Sequence, residues 1–381
     1  MSRRLFGECM KEKNNDFLIV CIIYFAAYLI LAFLRVASYL EWTSGSVWRI
    51  ILPIFLQGGV MFVFPLFCMI WYKKRTQAKP LPDMSFAEYM DMKARPAQTN
   101  VMKSWGFGKV SWRVMGFAFL LGILLLIFNM YVSSFFNGIL AFAGYRHMGG
   151  GGDSAYASLG FLGLLITLFF GSVLPGFCEE VTHRGMLLRG FRDRIGIMRA
   201  IMLSSILFGL FHMSAVQVFY CIILGYFICL AVVITRSIWT GIIIHFMNNA
   251  VSDISSFART KGWTGADFIT HIVNFLGGVG MILYAFIFIG VFYLIIWILT
   301  ICARDNFMKD QAARVANGLE PIQIPKQAKG MDAIRFYLTA GETTKPIRSI
   351  FDLRPLEKTF LFGLIFLGVI INVMSIVWGF L

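Results

Sequence analysis

Long apolar segments alternate with shorter polar ones along the whole chain. An apolar stretch of about 20 residues is long enough to cross the hydrocarbon core of a bilayer as a helix. The pattern predicts an all-α polytopic membrane protein with about nine transmembrane helices. The nine predicted spans cover residues 17–40, 50–72, 114–136, 158–183, 200–216, 217–235, 238–257, 272–302 and 359–381.

Composition supports this class. Hydrophobic residues make up 58% of the 381 residues and charged residues only 14%, whereas soluble proteins have roughly 45–50% and about 25%. The polar first 16 residues precede a long apolar span, so we expect a retained helix with a cytosolic leader rather than a cleaved signal peptide. The seven cysteines form no CxxC pair, and most lie in apolar segments, which argues against a disulfide framework.

The net charge of +14 is distributed unevenly across the predicted topology. Of the 34 Lys and Arg residues, 29 fall on the same side as the amino terminus. The positive-inside rule therefore predicts a multi-pass protein of the cell membrane with a cytoplasmic amino terminus and an external carboxyl terminus. We expect the basic residues to contact anionic lipids at the cytoplasmic face, and we do not expect nucleic acid as a partner.

The distribution of polar residues among the predicted spans divides the chain into three parts. Residues 1–157 form N-terminal transmembrane helices with a basic cytoplasmic loop at 73–113. Residues 158–257 form a central core of four helices that carries nearly all intramembrane polar residues. Residues 258–381 form C-terminal transmembrane helices with a cytoplasmic loop at 304–358. The flanking helices are expected to complete a bundle around the core.

Ionisable side chains at bilayer depth are costly, so they are rare and usually functional. With a rise of about 1.5 Å per residue, His212 lies about 18 Å from the cytoplasmic end of its span, His245 about 10 Å and Asn249 roughly 16 Å. Glu179 lies near the cytoplasmic end of its own span. A shared band in the cytoplasmic half of the bilayer is therefore predicted. The candidates are Glu179 and Glu180 in the fourth span, Arg184 directly after it, His212 in the fifth, and His245 and Asn249 in the seventh.

These residue types suit peptide-bond hydrolysis. A carboxylate and an imidazole that flank a water molecule can deprotonate it for attack on a carbonyl. A second imidazole and an amide N–H can stabilise the resulting oxyanion. Arg184 lies about one turn after Glu180 and could neutralise or orient it.

Three motifs in order carry a family resemblance: EExxxR at 179–184, FxxxH at 208–212 and HxxxN at 245–249. Together they resemble the CAAX protease and bacteriocin-processing (CPBP, Abi) family of intramembrane glutamic endopeptidases, and more closely its bacterial members. The resemblance implies metal-free hydrolysis of a membrane-associated protein or peptide. It implies that Glu179 and His212 activate the water, that His245 and Asn249 form the oxyanion hole, and that Glu180 and Arg184 support the site.

Other interpretations remain open. Glu179, Glu180, His212 and His245 could supply a His₂-carboxylate set for zinc, but no HExxH motif is present, so the metal-free mechanism is favoured. His183 could simply face the membrane interface, and Cys178 is expected to be a buried thiol. The alternative function is a non-enzymatic membrane scaffold, or an immunity or sensor-regulating protein, that retains the family fold. A transporter ranks third, because no inverted repeat is evident.

Overall fold

A computed structural model describes residues 2–39, 48–76, 101–108, 110–145, 156–268, 271, 281–316, 320–324, 329–340, 347 and 349–380. The described residues fold into helices and contain no strand, which confirms the predicted all-α class. Most of the predicted loop at 73–113 and part of the loop at 304–358 lie outside the described residues. The three-part division of the chain stays a prediction.

Each of the nine predicted spans overlaps a helix, although the fifth runs past the end of its helix at Phe211 and residues 272–280 of the eighth lie outside the described residues. The number of membrane crossings stays a prediction. Among the described residues, seven helices are long and apolar enough to cross a membrane; the two others are the shorter α5 and the more polar α7. The helices are α1 (Ser2–Tyr39), α2 (48–76), α3 (Trp112–Phe142), α4 (160–195), α5 (Ile197–Phe211), α6 (Ala215–Thr235), α7 (Ile238–Lys261), α8 (Met281–Ala316) and α9 (Pro355–Phe380), with short helices at Val101–Ser104 and Gly330–Thr339.

Two of these helices change type along their length. Ile54–Val63 of α2 is π-helical, as are Phe169–Val173 and Val181–Leu187 of α4. Wide turns of this kind are rare and occur often at functional sites. All three segments carry residues of the polar cluster described below.

The predicted end of the fourth span lies inside a longer helix. The prediction placed it at residue 183, but α4 continues to Ile195 and stops at Gly196, whose φ of 82° suits glycine. Arg184, which was expected to neutralise or orient Glu180, lies within this extension and its side chain is fully buried. The physical reason is that Arg184 pairs with Glu180 one turn earlier on the same helix, which lets a charged residue continue the helix inside the protein.

The four central helices pack around one another. A three-residue link joins α5 to α6, and the two helices form a tight hairpin. Helix α7 lies against α3 and against the middle of α4, while α1 lies between α9 and the end of α4. The π-helical part of α2 contacts α4 beside Glu179. Side chains from α2, α4, α5 and α7 can therefore meet in one interior region.

Candidate active site

Glu180 is the centre of a buried charge cluster. One of its oxygens, Oε1, accepts a hydrogen bond from Arg184 Nη1 at 2.6 Å and another from His245 Nδ1 at 2.9 Å. Arg184 Nη2 donates to the carbonyl oxygen of Gly225 at 3.2 Å. Both charged side chains are fully buried, and a buried ion is tolerated only when it is paired. Glu180 thus accepts from both side chains and holds the His245 ring.

This pairing sets the protonation of His245. Because the Glu180 carboxylate only accepts, the Nδ1 atom of His245 carries a hydrogen. The opposite ring nitrogen, Nε2, points toward Glu179 and lies 3.9 Å from its Oε2 atom. His245 therefore stands between the two adjacent glutamates, bonded to one and facing the other.

The two carboxylate oxygens of Glu179 differ in their hydrogen bonding. Oε1 accepts a 2.8 Å hydrogen bond from the side-chain amide of Gln57 on α2. Oε2 is buried and has no hydrogen-bond partner among the described residues. The Gln57 bond fixes the carboxylate, and Oε2 is then the oxygen able to take up a proton.

His212 also has a defined tautomer. Its Nδ1 atom donates to the backbone carbonyl of Phe208 at 2.8 Å. Since a carbonyl only accepts, Nδ1 bears the hydrogen and Nε2 of the neutral ring keeps a lone pair. The ring is half-buried, and the Glu179 carboxylate is close enough to act on it electrostatically. His212 has the form that a general base requires.

Asn249 lies one turn beyond His245 on α7, and its Nδ2 atom donates to the carbonyl of Gly171 at 3.2 Å. An amide carries two N–H hydrogens, so one remains for another acceptor. The neighbouring Asn248 bonds back to Ile244 of its own helix. Of the two adjacent asparagines, Asn249 is the one that reaches α4.

Phe208 organises the cluster, a role that the motif pattern did not reveal. Its ring centroid lies 5.0 Å from that of His183, 4.9 Å from that of His212 and 5.6 Å from that of His245, always edge-on. The Arg184 guanidinium sits 4.3 Å from the same centroid. One aromatic ring therefore packs against three imidazole rings and a buried guanidinium and keeps them apart.

His183 does not face the membrane interface but is fully buried. Its Nδ1 atom donates to the backbone carbonyl of Glu179 at 2.8 Å, and its Nε2 atom accepts from the Tyr24 hydroxyl at 2.8 Å. Tyr24 belongs to α1. This bond ties the first helix to the turn that carries Glu179.

The central core was expected to carry nearly all intramembrane polar residues, but the first two helices also contribute polar contacts. Gln57 from α2 and Tyr24 from α1 both contact the site. A lone glutamine in an apolar span is a polar residue that seeks an interhelical partner. That feature would have marked Gln57 as a candidate, although the identity of its partner required the fold.

No group of three or more His, Cys, Asp or Glu side chains in the described part of the chain is arranged to hold a metal ion. Metal independence stays a prediction. Cys178, next to Glu179, is a buried free thiol as expected.

The fold and the cluster define a multi-pass helical membrane protein with a buried carboxylate–imidazole site between its central helices. Residues 161–251 match the family model described as type II CAAX prenyl endopeptidase Rce1-like. The match confirms the family resemblance over this segment, which is about a quarter of the chain. All six predicted site residues fall inside it. No curated protein and no solved structure gives a significant match.

Proposed function

We propose that the protein is an intramembrane endopeptidase that hydrolyses a peptide bond of a membrane-associated protein or peptide. The observation that carries the proposal is the arrangement of Glu179. One of its oxygens is held by Gln57, and the other faces His245 at 3.9 Å. A carboxylate fixed in this way has one oxygen directed toward a second reactive group.

In the first step, Glu179 and His212 activate a water molecule. Oε2 of Glu179 accepts a proton as the water oxygen attacks the scissile carbonyl carbon. The Nε2 lone pair of His212 accepts a hydrogen bond from the same water and orients it. When the tetrahedral intermediate collapses, Glu179 returns the proton to the departing amine, so the carboxylate is regenerated.

In the same step, His245 and Asn249 stabilise the oxyanion that forms on the scissile carbonyl. A hydrogen on Nε2 of His245, which the doubly protonated ring carries, and the second amide hydrogen of Asn249 are the donors. Glu180 supports the positive ring through its bond to Nδ1. Arg184 pairs with Glu180, so both residues act through His245 and not on the substrate.

The same residues complete the chemistry without a metal, and we propose a metal-free mechanism. By the positive-inside rule we also place the site in the cytoplasmic half of the bilayer of the cell membrane. A substrate would then enter from that leaflet or from the cytoplasmic surface.

The test is cleavage by the purified full-length protein in detergent. Because the matching family model is named for prenyl endopeptidases, the first probes are a farnesylated carboxyl-terminal peptide and an unmodified transmembrane peptide. Glu179→Gln and His212→Ala are expected to lower kcat/KM by at least a hundredfold. The exposed Asp305→Asn variant, which loses only a surface pair with Lys309, is the control.

Full cleavage by a correctly folded Glu179→Gln variant would contradict the mechanism. If wild-type protein cleaves neither probe, peptides of membranes from a deletion strain and from a Glu179→Gln strain are compared. Identical peptide patterns in wild type and both strains would favour the non-enzymatic scaffold.

A further inference from the structure

Asp253 is a half-buried carboxyl group on α7 that takes no part in the proposed reaction. It lies two turns after His245 and one turn after Asn249, so the three side chains share one face of the helix. Its Oδ2 atom accepts a hydrogen bond from the hydroxyl of Ser172 on α4 at 2.6 Å. Ser172 is fully buried, and a buried hydroxyl is costly unless it is hydrogen-bonded. This bond therefore joins α7 to the interior face of α4.

The bond from Ser172 to Asp253 lies beside the contact that holds Asn249. Ser172 and the preceding Gly171 both belong to the π-helical segment Phe169–Val173 of α4. The Gly171 carbonyl accepts from the Asn249 amide at 3.2 Å. Ser172 donates to Asp253, which is one turn further along α7. Two neighbouring residues of α4 are thus bonded to one face of α7, and the position of the π-helical turn is fixed at two points.

The absence of a side chain at Gly171 allows this close approach of the two helices. A Cβ atom at this position would overlap the Asp253 carboxyl group. The carboxyl group therefore packs directly against the backbone of the turn whose carbonyl holds Asn249. If the π-helical turn moved away from α7, both hydrogen bonds would break together.

We propose that Asp253 is a positioning residue for the oxyanion hole. Through Ser172 it holds the π-helical turn, and the Gly171 carbonyl in that turn orients the Asn249 amide. This inference rests on the proposed function, in which Asn249 is an oxyanion donor. Because one amide hydrogen of Asn249 is bonded to Gly171, the direction of that bond sets where the second hydrogen points. A displacement of about 1 Å in an active site can cost roughly a hundredfold in rate.

The kinetic test removes the bond from both sides in the purified full-length protein. Ser172→Ala deletes the donor, and Asp253→Leu deletes the acceptor in a side chain of similar size. Each should lower kcat roughly tenfold and leave KM unchanged, because an oxyanion donor acts in the transition state. Asp253→Asn keeps an acceptor oxygen and should remain within about threefold of wild type. The control is Ser252→Ala, which removes a hydroxyl from an exposed position of the same helix.

A double variant separates positioning from a general effect on the fold. Asn249→Ala removes the proposed donor and should lower kcat about a hundredfold. Since Asp253 and Ser172 act through Asn249, Ser172→Ala should cause no further loss of kcat in that background. A further tenfold loss there would show a general structural effect and would overturn the proposal.

A spectroscopic measurement tests the same placement without cleavage. In protein with isotopically labelled asparagine, the side-chain amide signals of Asn249 are identified in NMR spectra by their loss in Asn249→Ala. They should shift in Ser172→Ala and in Asp253→Leu but not in Ser252→Ala, and if wild type cleaves neither probe these signals alone decide. Unshifted signals, or an unchanged kcat of Ser172→Ala in an enzyme that requires Glu179, would overturn this inference alone. Cleavage that does not require Glu179 would instead overturn the proposed function.

Discussion

Gln57 offers the sharpest test of the proposed site, because it lies outside the matched segment and in none of the three motifs. Replacing it with methionine keeps the side-chain length but removes the amide that donates to Glu179 Oε1 at 2.8 Å. A hydrogen bond to a charged group contributes about 1.5–3 kcal/mol. If that bond positions the carboxylate in the transition state, its loss lowers kcat/KM roughly 10- to 150-fold.

The assay compares cleavage of the first active probe by wild type, Gln57→Met and Leu56→Met. Leu56 is the preceding residue and packs against the core without contacting Glu179 through a hydrogen bond, so its variant controls for repacking of α2. Equal Tm values for the two variants would show that the difference in rate is not a folding effect. A kcat/KM for Gln57→Met within twofold of wild type would refute the positioning role.

Three further predictions follow from the same cluster. A Cβ atom on Gly241 would lie 2.5 Å from Glu180 Oε2. The Gly241→Ala variant should therefore displace the carboxylate and reduce kcat/KM at least tenfold. The control is Gly290→Ala, whose added Cβ meets open space and which should have wild-type kcat/KM and Tm. Phe208→Leu removes the ring beneath Arg184 and should cost roughly 1 kcal/mol of cation–π energy, measured as a lower Tm, with a fall in kcat; an unchanged Tm and kcat would contradict the spacing role. Treatment with 1,10-phenanthroline followed by dialysis should leave activity intact, with metal content checked by mass spectrometry; activity that is lost and then restored by zinc would support the zinc variant.

The helices could be predicted from the sequence because apolar length is a local property. All nine predicted spans contain a helix. The sequence also predicted that the motif residues lie close together, since residues four apart share a helix face, as His245 and Asn249 do. The end of α4 could not be predicted, because the basic residues after 183 have the composition of a cytoplasmic loop. The pairing of Arg184 with Glu180 was expected from their spacing of one turn, and the structure shows that both side chains are fully buried.

The contacts between distant segments were the least predictable part of the site. The bond from Gln57 to Glu179 joins residues 122 positions apart, and the bond from Tyr24 to His183 joins residues 159 apart. Neither partner belongs to a motif, and hydropathy carries no information about which helices are neighbours. Such residues become visible only when the packing of α1 and α2 against α4 is known.

The packing also explains why two adjacent glutamates take different roles. Successive residues on a helix point about 100° apart, because a turn holds 3.6 residues. Glu180 is therefore directed toward α7, where His245 binds it, and it also accepts from Arg184 one turn later on α4. Glu179 is directed toward Gln57 on α2. His245 connects the two directions, with Nδ1 on Glu180 and Nε2 facing Glu179. A proton lost from Nε2 would remove the proposed oxyanion donor, whereas the bond at Nδ1 would persist. The Glu180–Arg184 pair thus holds the Nδ1 edge of the ring, so that the Nε2 edge is available for chemistry beside Glu179.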